Sequence, residues 1–344
     1  MSPRLAACVV AVVAAAAPLL VPRHSGAAPA GPTAPATRPA AAAAAAVPPK
    51  LPEATSSFGA VACDGWAYVY GGHVTPTHEY HAAAVSGRFF RLKLAGGAAW
   101  EELPGGPGLQ GMNLAAHGGK VYRVGGMRPR NKKGEPADMV SVADCAAFNP
   151  ATRKWEPLPP LPEPRSSHDV AVVGDTLLAV GGWTMKGKDG DSEWLGHMAA
   201  LDLSARPLAW KTVKQPFERR ALTTAVRRGK LYVVGGFTDE ADPSRRVDVY
   251  DPAAGRWSAG PDLPDKPLAG FSPAACTAGD DLLVGIADGT IYRLDEQAGT
   301  WAPAGANAPR IVHRMVADGD RVVVLGGSRK GNMLDSVEAI DLRR

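Results

Sequence analysis

The sequence has few cysteines and no long run of one charge, and each shortage removes a class of function. It has four cysteines in 344 residues, and Cys63, Cys145 and Cys276 lie far apart. This spacing offers neither a disulfide framework nor a CxxC metal-binding pair, so we expect buried free thiols. The formal net charge is +4, and no lysine/arginine cluster resembles a nucleic-acid-binding arm. We therefore expect no nucleic-acid partner.

The first 27 residues have the layout of a secretory signal. Arg4 supplies a positive charge, residues 5–21 are almost entirely apolar, and the small residues Ser25, Gly26 and Ala27 follow. This order predicts cleavage near Ala27 and a secreted or periplasmic protein. The Ala/Pro-rich residues 28–41 predict a linker. The alternative is a membrane anchor formed by residues 5–21, whose length is close to that of a bilayer span.

Glycine (39) and proline (31) are abundant, which is typical of short strands joined by turns. One strand-like stretch, KLYVVGGF at 230–237, ends on two adjacent glycines. Because a glycine pair costs backbone entropy, it indicates a sharp turn or a close approach of another segment. Similar stretches recur along the chain, and their first glycines are 54, 56, 54 and 91 residues apart. The pairs are Gly71 and Gly72, Gly125 and Gly126, Gly181 and Gly182, Gly235 and Gly236, and Gly326 and Gly327.

The long last interval contains a degenerate sixth unit. In DDLLVGIADGTIYRLD, residues 280–295, Ile286 and Ala287 stand where the glycines are expected. A tryptophan also follows each of the first five units, after a strand that ends in a turn. Each unit therefore predicts four antiparallel strands, of which the last carries the tryptophan. The tryptophans are Trp100, Trp155, Trp210, Trp257 and Trp301.

The recurring strand with Gly-Gly, followed by a turn, a tryptophan and a Pro-rich link, resembles the Kelch repeat. The resemblance covers about residues 40–344 and implies an all-β, six-bladed β-propeller of four-stranded antiparallel blades around a channel. It also implies that the glycines and tryptophans are structural. In that family the glycine pair packs where backbone and aromatic side chains come close.

The sixth unit ends after its third strand, at SVEAIDLRR, so its fourth strand must come from elsewhere. VPPKLPEATSS (47–57) resembles LPPLPEPRSS (158–167), the link that follows a tryptophan strand. Shifting by 110 residues places Ala45 where Trp155 lies. A strand near residues 42–48 is therefore predicted to pair with residues 337–341 and close a propeller spanning 42–344. An unpaired edge would invite aggregation.

Three long loops, residues 73–87, 127–138 and 183–196, belong to blades one to three and open onto one face. Arg165, Arg219 and Arg310 each lie sixteen residues before the first glycine of a pair, at the start of an inner strand. They could ring the channel mouth and bind a carboxylate or an acidic sugar. The structural alternative is that they fix the links between blades.

Aromatic and histidine side chains lie near the same face. Trp183, with Tyr80 and Trp194, could stack on a sugar, whereas Tyr70 is expected in the core of its blade. His168 and His313 follow two of the arginines by three residues, and we expect them to pack between blades.

The segment HVTPTHEYH in blade one offers His73, His78, Glu79 and His81 as possible metal ligands. The alternative is that these loop side chains are simply solvated. No cofactor is otherwise expected.

The resemblance leaves two functions open. The first is a non-enzymatic, monomeric exported propeller that binds a carbohydrate or a protein at the loop-rich mouth. The second is a mutarotase or epimerase acting on an acidic sugar, because the Kelch family includes an exported six-bladed sialic-acid mutarotase. The fold alone does not choose between them.

Overall fold

The computed structural model of the chain describes residues 47–240 and 242–342. These residues form a six-bladed propeller with five four-stranded antiparallel sheets and, in blade six, three strands. The all-β, six-bladed prediction is confirmed. The one helical turn in the described residues is a 3₁₀ turn at Ala82–Ala84. The expected signal (1–27) and linker (28–41) lie outside the described residues.

The strands are numbered along the chain, and each blade runs from its inner to its outer strand. Blades one and two contain β1 (Gly59–Cys63), β2 (Trp66–His73), β3 (Val85–Lys93), β4 (Glu101–Leu103), β5 (Leu114–His117), β6 (Lys120–Val124), β7 (Met127–Pro129), β8 (Met139–Ser141), β9 (Cys145–Asn149) and β10 (Lys154–Pro157). Blades three and four contain β11 (Asp169–Val173), β12 (Thr176–Val180), β13 (Trp183–Thr184), β14 (Glu193–Trp194), β15 (His197–Asp202), β16 (Trp210–Lys214), β17 (Thr223–Arg227), β18 (Lys230–Val234), β19 (Val247–Asp251) and β20 (Arg256–Ala259). Blades five and six contain β21 (Ala274–Ala278), β22 (Asp281–Gly285), β23 (Thr290–Asp295), β24 (Thr300–Ala306), β25 (Arg314–Asp318), β26 (Arg321–Leu325), β27 (Ser328–Arg329), β28 (Asn332–Met333) and β29 (Val337–Asp341).

Three pairs of these strands lie outside the blades. β7 with β8, β13 with β14, and β27 with β28 form two-stranded ribbons in the loops after the glycine pairs of blades two, three and six. The ribbons of blades two and three are linked by an isolated bridge between Val140 and Lys186. These ribbons therefore lie on the loop-rich face of the propeller.

The core consists of one hydrophobic cluster at each junction between successive blades, including the junction of blade six with blade one. In β18, apolar residues do not alternate with polar ones, and the packing of its two faces explains why. Leu231 and Val233 belong to the cluster shared with blade three, whereas Tyr232 and Val234 belong to the cluster shared with blade five. Because successive side chains of a strand point to opposite faces, a sheet covered on both faces requires apolar residues at every position.

The repeated tryptophans join the outer edges of neighbouring blades. The indole Nε1–H of Trp155 donates to the carbonyl of Pro104 (2.8 Å), and that of Trp210 donates to Pro159 (2.8 Å). Trp257 and Trp301 make the same bond to Lys214 and Pro261. Each of these indole groups therefore ties the outer strand of its blade to the preceding blade or link.

Trp100 extends this pattern to the N-terminal segment, because its indole donates to the carbonyl of Pro49 (3.0 Å). Pro49 thus occupies the place of Pro159, as the shift of 110 residues predicts. The amide of Leu51 then donates to the carbonyl of Asp335 in blade six (2.8 Å). Val47 and Pro48 are not in a strand, and residues 42–46 lie outside the described residues. Pairing of this segment with β29 stays a prediction.

We predict that deleting residues 28–48 lowers the melting temperature much more than deleting residues 28–40. The longer deletion removes the predicted closing strand, whereas the shorter one removes only the linker. Differential scanning calorimetry of the two variants and the full chain measures the difference. Equal melting temperatures for the two deletions would contradict closure by this segment.

His168 and His313 pack between blades, as predicted, and both are buried. The Nε2 atom of His168 lies 3.1 Å from the carbonyl of Val124 in the neighbouring blade. Burial, with a smaller contribution from a nearby arginine, lowers the pKa of each imidazole to about 3. Both rings are therefore neutral in the folded protein at pH 7. In the unfolded chain they take up protons below their ordinary pKa of about 6.5.

The two histidines should make the protein lose stability as the pH falls from about 6.5 towards 3, because only the unfolded state then binds their protons. Blades one and two carry Phe58 and Met112 at the equivalent positions. We predict that the double variant His168→Met, His313→Phe loses less unfolding free energy than the wild type between pH 7 and pH 4.5. Urea denaturation at both pH values tests this. Parallel losses in the two proteins would contradict it.

Cys63 and Cys145 are buried free thiols, as predicted, but Cys276 is only partly buried and lines the channel. Tyr70 is fully buried, as expected for a core residue. Within the described residues, no helix combines the length and apolar character needed to cross a membrane.

Candidate binding site

The glycine pairs lie where the backbone of the next blade comes closest. A Cβ atom at Gly181 would be 2.5 Å from the carbonyl oxygen of Arg219, and the φ angle of Gly181 is +65°. The amide of Gly182 donates to that same carbonyl (2.8 Å). A side chain at Gly181 would therefore push blades three and four apart. This glycine pair therefore lies at a packing contact between two blades.

The three arginines predicted to ring the mouth are instead buried in the links between blades, with exposures of 1–3%. Nη1 of Arg165 donates to the carbonyls of Gly181 (2.6 Å) and His197 (2.9 Å). Arg219 makes the equivalent bonds to Gly235 and Arg246. Each guanidinium therefore caps carbonyl groups of its own blade.

The charges of these arginines are also held inside the protein. Arg219 pairs with the buried Asp248, and Arg310 pairs with Glu338. Burial lowers the pKa of Arg165 to about 10, so it still carries its charge at neutral pH. The prediction that these arginines line an open mouth is wrong, because their donors point into the blade links.

We predict that Arg219→Ala lowers the free energy of unfolding by about 3–5 kcal/mol, because it leaves the buried Asp248 carboxylate without its main partner. Arg246→Ala is the matched control. Its guanidinium lies 3.6 Å from the other oxygen of Asp248 but is 66% exposed. That control should cost less than about 1 kcal/mol. Urea denaturation compares the two variants, and equal losses would contradict the structural role of Arg219.

The mouth of the channel is bordered by a ring of backbone in the left-handed conformation, which we call the mouth ring. Its members precede the inner strands and have φ angles between +46° and +64°. The amide of Gly111 donates to the carbonyl of Ser57 (2.7 Å), Ser167 donates to Gly111 (2.6 Å), and Ala221 donates to Ser167 (2.6 Å). The strain of non-glycine residues in this conformation is therefore offset by bonds between blades. The mouth ring consists of Ser57, Gly111, Ser167, Ala221, Ser272 and Val312.

An ion pair crosses the channel just below the mouth ring. Arg314, on the inner strand of blade six, donates to the carbonyls of Phe58 and Met112 in blades one and two (both 2.9 Å). Its Nη1 lies 3.6 Å from Oδ1 of Asp169 in blade three. The other oxygen of Asp169 accepts a hydrogen bond from the amide of Thr224 (2.6 Å). Arg314 therefore spans the axis and forms the floor of the mouth.

Beyond this floor the inner strands enclose a channel cavity of about 400 Å³. Its walls are mostly small residues, including alanines, valines, threonines and Cys276. A ligand approaching from the loop-rich face meets Arg314 before it reaches this cavity. The candidate site is therefore the bowl above the floor rather than the channel itself.

The rim of this bowl contains a cation packed among aromatic rings. Arg220 and Phe237 form an antiparallel bridge, and the Arg220 Cζ atom lies 5.5 Å from the centroid of the Phe237 ring. The same Cζ atom lies 4.2 Å from the centroid of Trp183 and 5.4 Å from that of Trp194. All four side chains are half-buried. The site thus presents partly open aromatic faces around a guanidinium group.

Two further aromatic rings extend this surface to both sides. Phe271, from the link into blade five, packs edge-on against Phe237 with centroids 4.8 Å apart. Tyr80, from the loop of blade one, is 37% exposed, and Arg220 is close enough to affect its pKa, which burial raises. We call Tyr80, Trp183, Trp194, Arg220, Phe237 and Phe271 the aromatic rim.

The histidines of the blade-one loop do not form a metal centre. Nε2 of His73 faces the carbonyl of Pro76 (3.2 Å), and Nε2 of His81 is 3.8 Å from Glu79. His78 is exposed, and its ring packs edge-on against Tyr80. The described residues contain no group of three or more His, Cys, Asp or Glu side chains arranged to hold a metal. The metal-site prediction is therefore wrong.

Of the side chains predicted to contact a ligand, Trp183 does lie at the mouth. The pattern missed Arg220, which follows Arg219 directly. Neighbouring residues of an extended segment point to opposite sides, so a buried Arg219 places Arg220 outward. The sequence analysis did not predict the ion pair of Arg314 with Asp169, because the repeat pattern does not indicate contacts between blades on opposite sides of the channel.

The comparisons with known proteins agree with this fold. The family model of the KLHDC2/KLHL20/DRC7 Kelch-repeats domain matches residues 111–327, more than half of the chain. The chain therefore belongs to the Kelch-repeat family.

Its relatives share the repeat over part of their length. Kelch-like protein 36 of Mus musculus is 31% identical over 134 residues, which are 38% of this chain and 21% of that protein. Kelch-like protein 35 of Mus musculus is 24% identical over 229 residues, 66% of this chain and 34% of that protein. The chain thus spans only about a fifth to a third of these relatives.

One solved structure supports the fold alone. The structure titled "Structure of YjhT" superposes with a TM-score of 0.68 at 13% sequence identity. The match covers 87% of this chain and all of that chain.

Proposed function

We propose that this chain is an exported, non-catalytic binding module whose ligand, a carbohydrate or a protein segment, binds at the aromatic rim. The observation that carries the proposal is the stacking of Arg220 against Trp183 at 4.2 Å on the loop-rich face. Partly open tryptophan rings and an arginine are the residue types that most often dominate binding interfaces. Membership of the Kelch family, whose propellers are typically interaction modules, supports the same function.

The geometry of the mouth also favours binding from one side. Arg314 lies across the channel below the mouth, and the ribbons of blades two and three lie beside the aromatic rim. A bowl with fixed rings and a closed floor offers a preorganised surface, which reduces the entropy lost on binding. The alternative of a mutarotase acting on an acidic sugar rested on the family resemblance and, for its acidic ligand, on a mouth lined by Arg165, Arg219 and Arg310. The burial of these arginines removes the second of these supports.

The proposed export rests on residues 1–27 of the sequence alone. N-terminal sequencing of the protein recovered outside the cytoplasm tests it, with a start near residue 28 as the expected result. An intact Met1 on exported, membrane-bound protein would favour the anchor instead.

The binding function is tested by selecting ligands from a glycan array and a random peptide library with the full-length chain. We predict that Trp183→Ala and Arg220→Ala each weaken the selected ligands by about tenfold or more, as expected for central interface residues. Arg228→Ala is the control, because Arg228 is exposed and lies on the turn after β17, at the opposite face. Fluorescence titration gives the affinities.

Circular dichroism melting curves must show that the two mouth variants remain folded. Ligands that lose affinity with Arg228→Ala but not with the mouth variants would contradict the proposed site. Failure of a folded wild-type chain to select any ligand from either library would contradict the proposed function.

A further inference from the structure

The two ends of the aromatic rim belong or attach to loops of opposite charge. Tyr80 is tied to the ribbon of blade two, because the side-chain amide of Asn131 donates to the Tyr80 carbonyl (2.7 Å). Phe237 begins the loop of blade four and forms a bridge with Pro243 at the other end of that loop. The charges on these two loops therefore border the surface that a ligand would contact.

The end with Tyr80 is bordered by cations. Exposed lysines lie at the turn of the blade-two ribbon, and an exposed arginine and lysine lie in the ribbon of blade six. The blade-six ribbon contacts the loop that carries Tyr80, because the amide of Thr77 donates to the carbonyl of Gly331 (2.9 Å). We call these cations the basic tips: Lys132, Lys133, Arg329 and Lys330.

The basic tips keep an excess of positive charge. Glu79 lies 3.9 Å from Lys133, and Glu135 accepts a hydrogen bond from the backbone amide of Lys132 (2.7 Å). These are two carboxylates against four cations. The side-chain charges of Lys132, Arg329 and Lys330 have no ion-pair partner in the part of the chain that the structure describes.

The end with Phe237 is bordered by anions. The loop between Phe237 and Pro243 carries three exposed carboxylates, which form no ion pair with another described residue. The next cations along the chain face other groups: Arg245 is 3.7 Å from Asp265, and Arg246 is 3.6 Å from Asp248. We call these carboxylates the acidic tip: Asp239, Glu240 and Asp242.

Opposite charges at the two ends of a binding surface fix the direction in which a charged ligand lies. We infer that the aromatic rim binds an extended protein segment whose acidic end meets the basic tips and whose basic end meets the acidic tip. An apolar or aromatic side chain in the middle of this segment packs on the rings around Arg220. This inference rests on the proposed binding function and chooses a protein over a carbohydrate as its ligand.

The charges discriminate between the two ligand classes. A neutral sugar has no charge to pair with either group, and an acidic sugar is attracted by the basic tips but repelled by the acidic tip. A peptide can carry both signs along one chain. Because the charged side chains are exposed, they orient the partner and raise its association rate, and both effects weaken as salt increases.

Selection with the full-length chain from a phage-displayed library of random nine-residue peptides tests the inference. We expect the enriched peptides to carry Asp or Glu near one end, Lys or Arg near the other, and an apolar or aromatic residue between them. Surface plasmon resonance then gives their association rates. Each rate should fall about tenfold or more between about 0.05 M and 0.5 M salt, because the Debye length shortens.

Charge-reversal variants assign the two ends of the enriched peptides. Lys132→Glu with Lys330→Glu should weaken these peptides about tenfold and restore binding when the acidic end of the peptide is changed to lysine. Asp239→Lys with Glu240→Lys should do the same for the basic end. A merely structural role of these side chains predicts no such rescue.

Lys154→Glu with Lys211→Glu is the matched control. It changes the net charge as much as the first variant, but its two exposed lysines lie on the outer strands β10 and β16. Peptide affinity should stay within about twofold of wild type, since these sites are away from the mouth. Melting curves verify that every variant is folded.

Three results would overturn the inference: enriched peptides without opposite charges at their ends, charge reversal at the tips that acts no more strongly than the control, or selection of glycans but no peptides. The proposed function fails separately. If uncharged peptides or glycans bind and lose affinity with Trp183→Ala, the aromatic rim stands as a binding site and only the charged protein segment is rejected. If the folded chain selects nothing from either library, both fail.

Discussion

The propeller depends on one repeated hydrogen bond, in which the second glycine of a pair donates its amide to a link carbonyl of the next blade. The N···O distances at five junctions lie between 2.7 and 2.9 Å. The first glycine of the pair must lack a Cβ for this approach, because a Cβ at Gly181 would be 2.5 Å from the Arg219 carbonyl oxygen that accepts the bond from Gly182. Blade five, which has Ala287 instead, reverses the donor: the amide of Arg310 donates to Ala287 (3.2 Å). The glycine repeat therefore reflects the close packing of neighbouring blades rather than a catalytic or ligand-binding site.

This close approach also decides what the arginines do. The link that supplies the carbonyl to the preceding blade begins an inner strand, and Arg165 in that link turns inward to cap Gly181 of its own blade. The arginines whose spacing in the sequence resembles an anion-binding site therefore donate hydrogen bonds to backbone carbonyls instead. The side chains that face a ligand are instead the next residue in the link, such as Arg220, and residues of the loops above the mouth ring.

Much of the fold was predictable because it repeats. The glycine pairs and tryptophans gave the number of blades, and the match of Pro49 with Pro159 gave the place of the N-terminal link. The site was less predictable. The repeat places an arginine before an inner strand but does not give the direction of its side chain. The ion pair of Arg314 with Asp169 joins blades six and three, and such long-range contacts leave no local pattern. Trp183 was found because a large aromatic residue in a mouth loop has few structural explanations.

Amide hydrogen exchange followed by NMR measures whether these bonds between blades persist in solution. We expect the amides of Gly126, Gly182 and Gly236 to exchange as slowly as those inside β18, although these glycines lie outside the strands. Slow exchange requires that their bonds to the next blade persist in solution. Exchange as fast as in the exposed residues of the loop after Trp183 would show that these bonds do not hold the blades together.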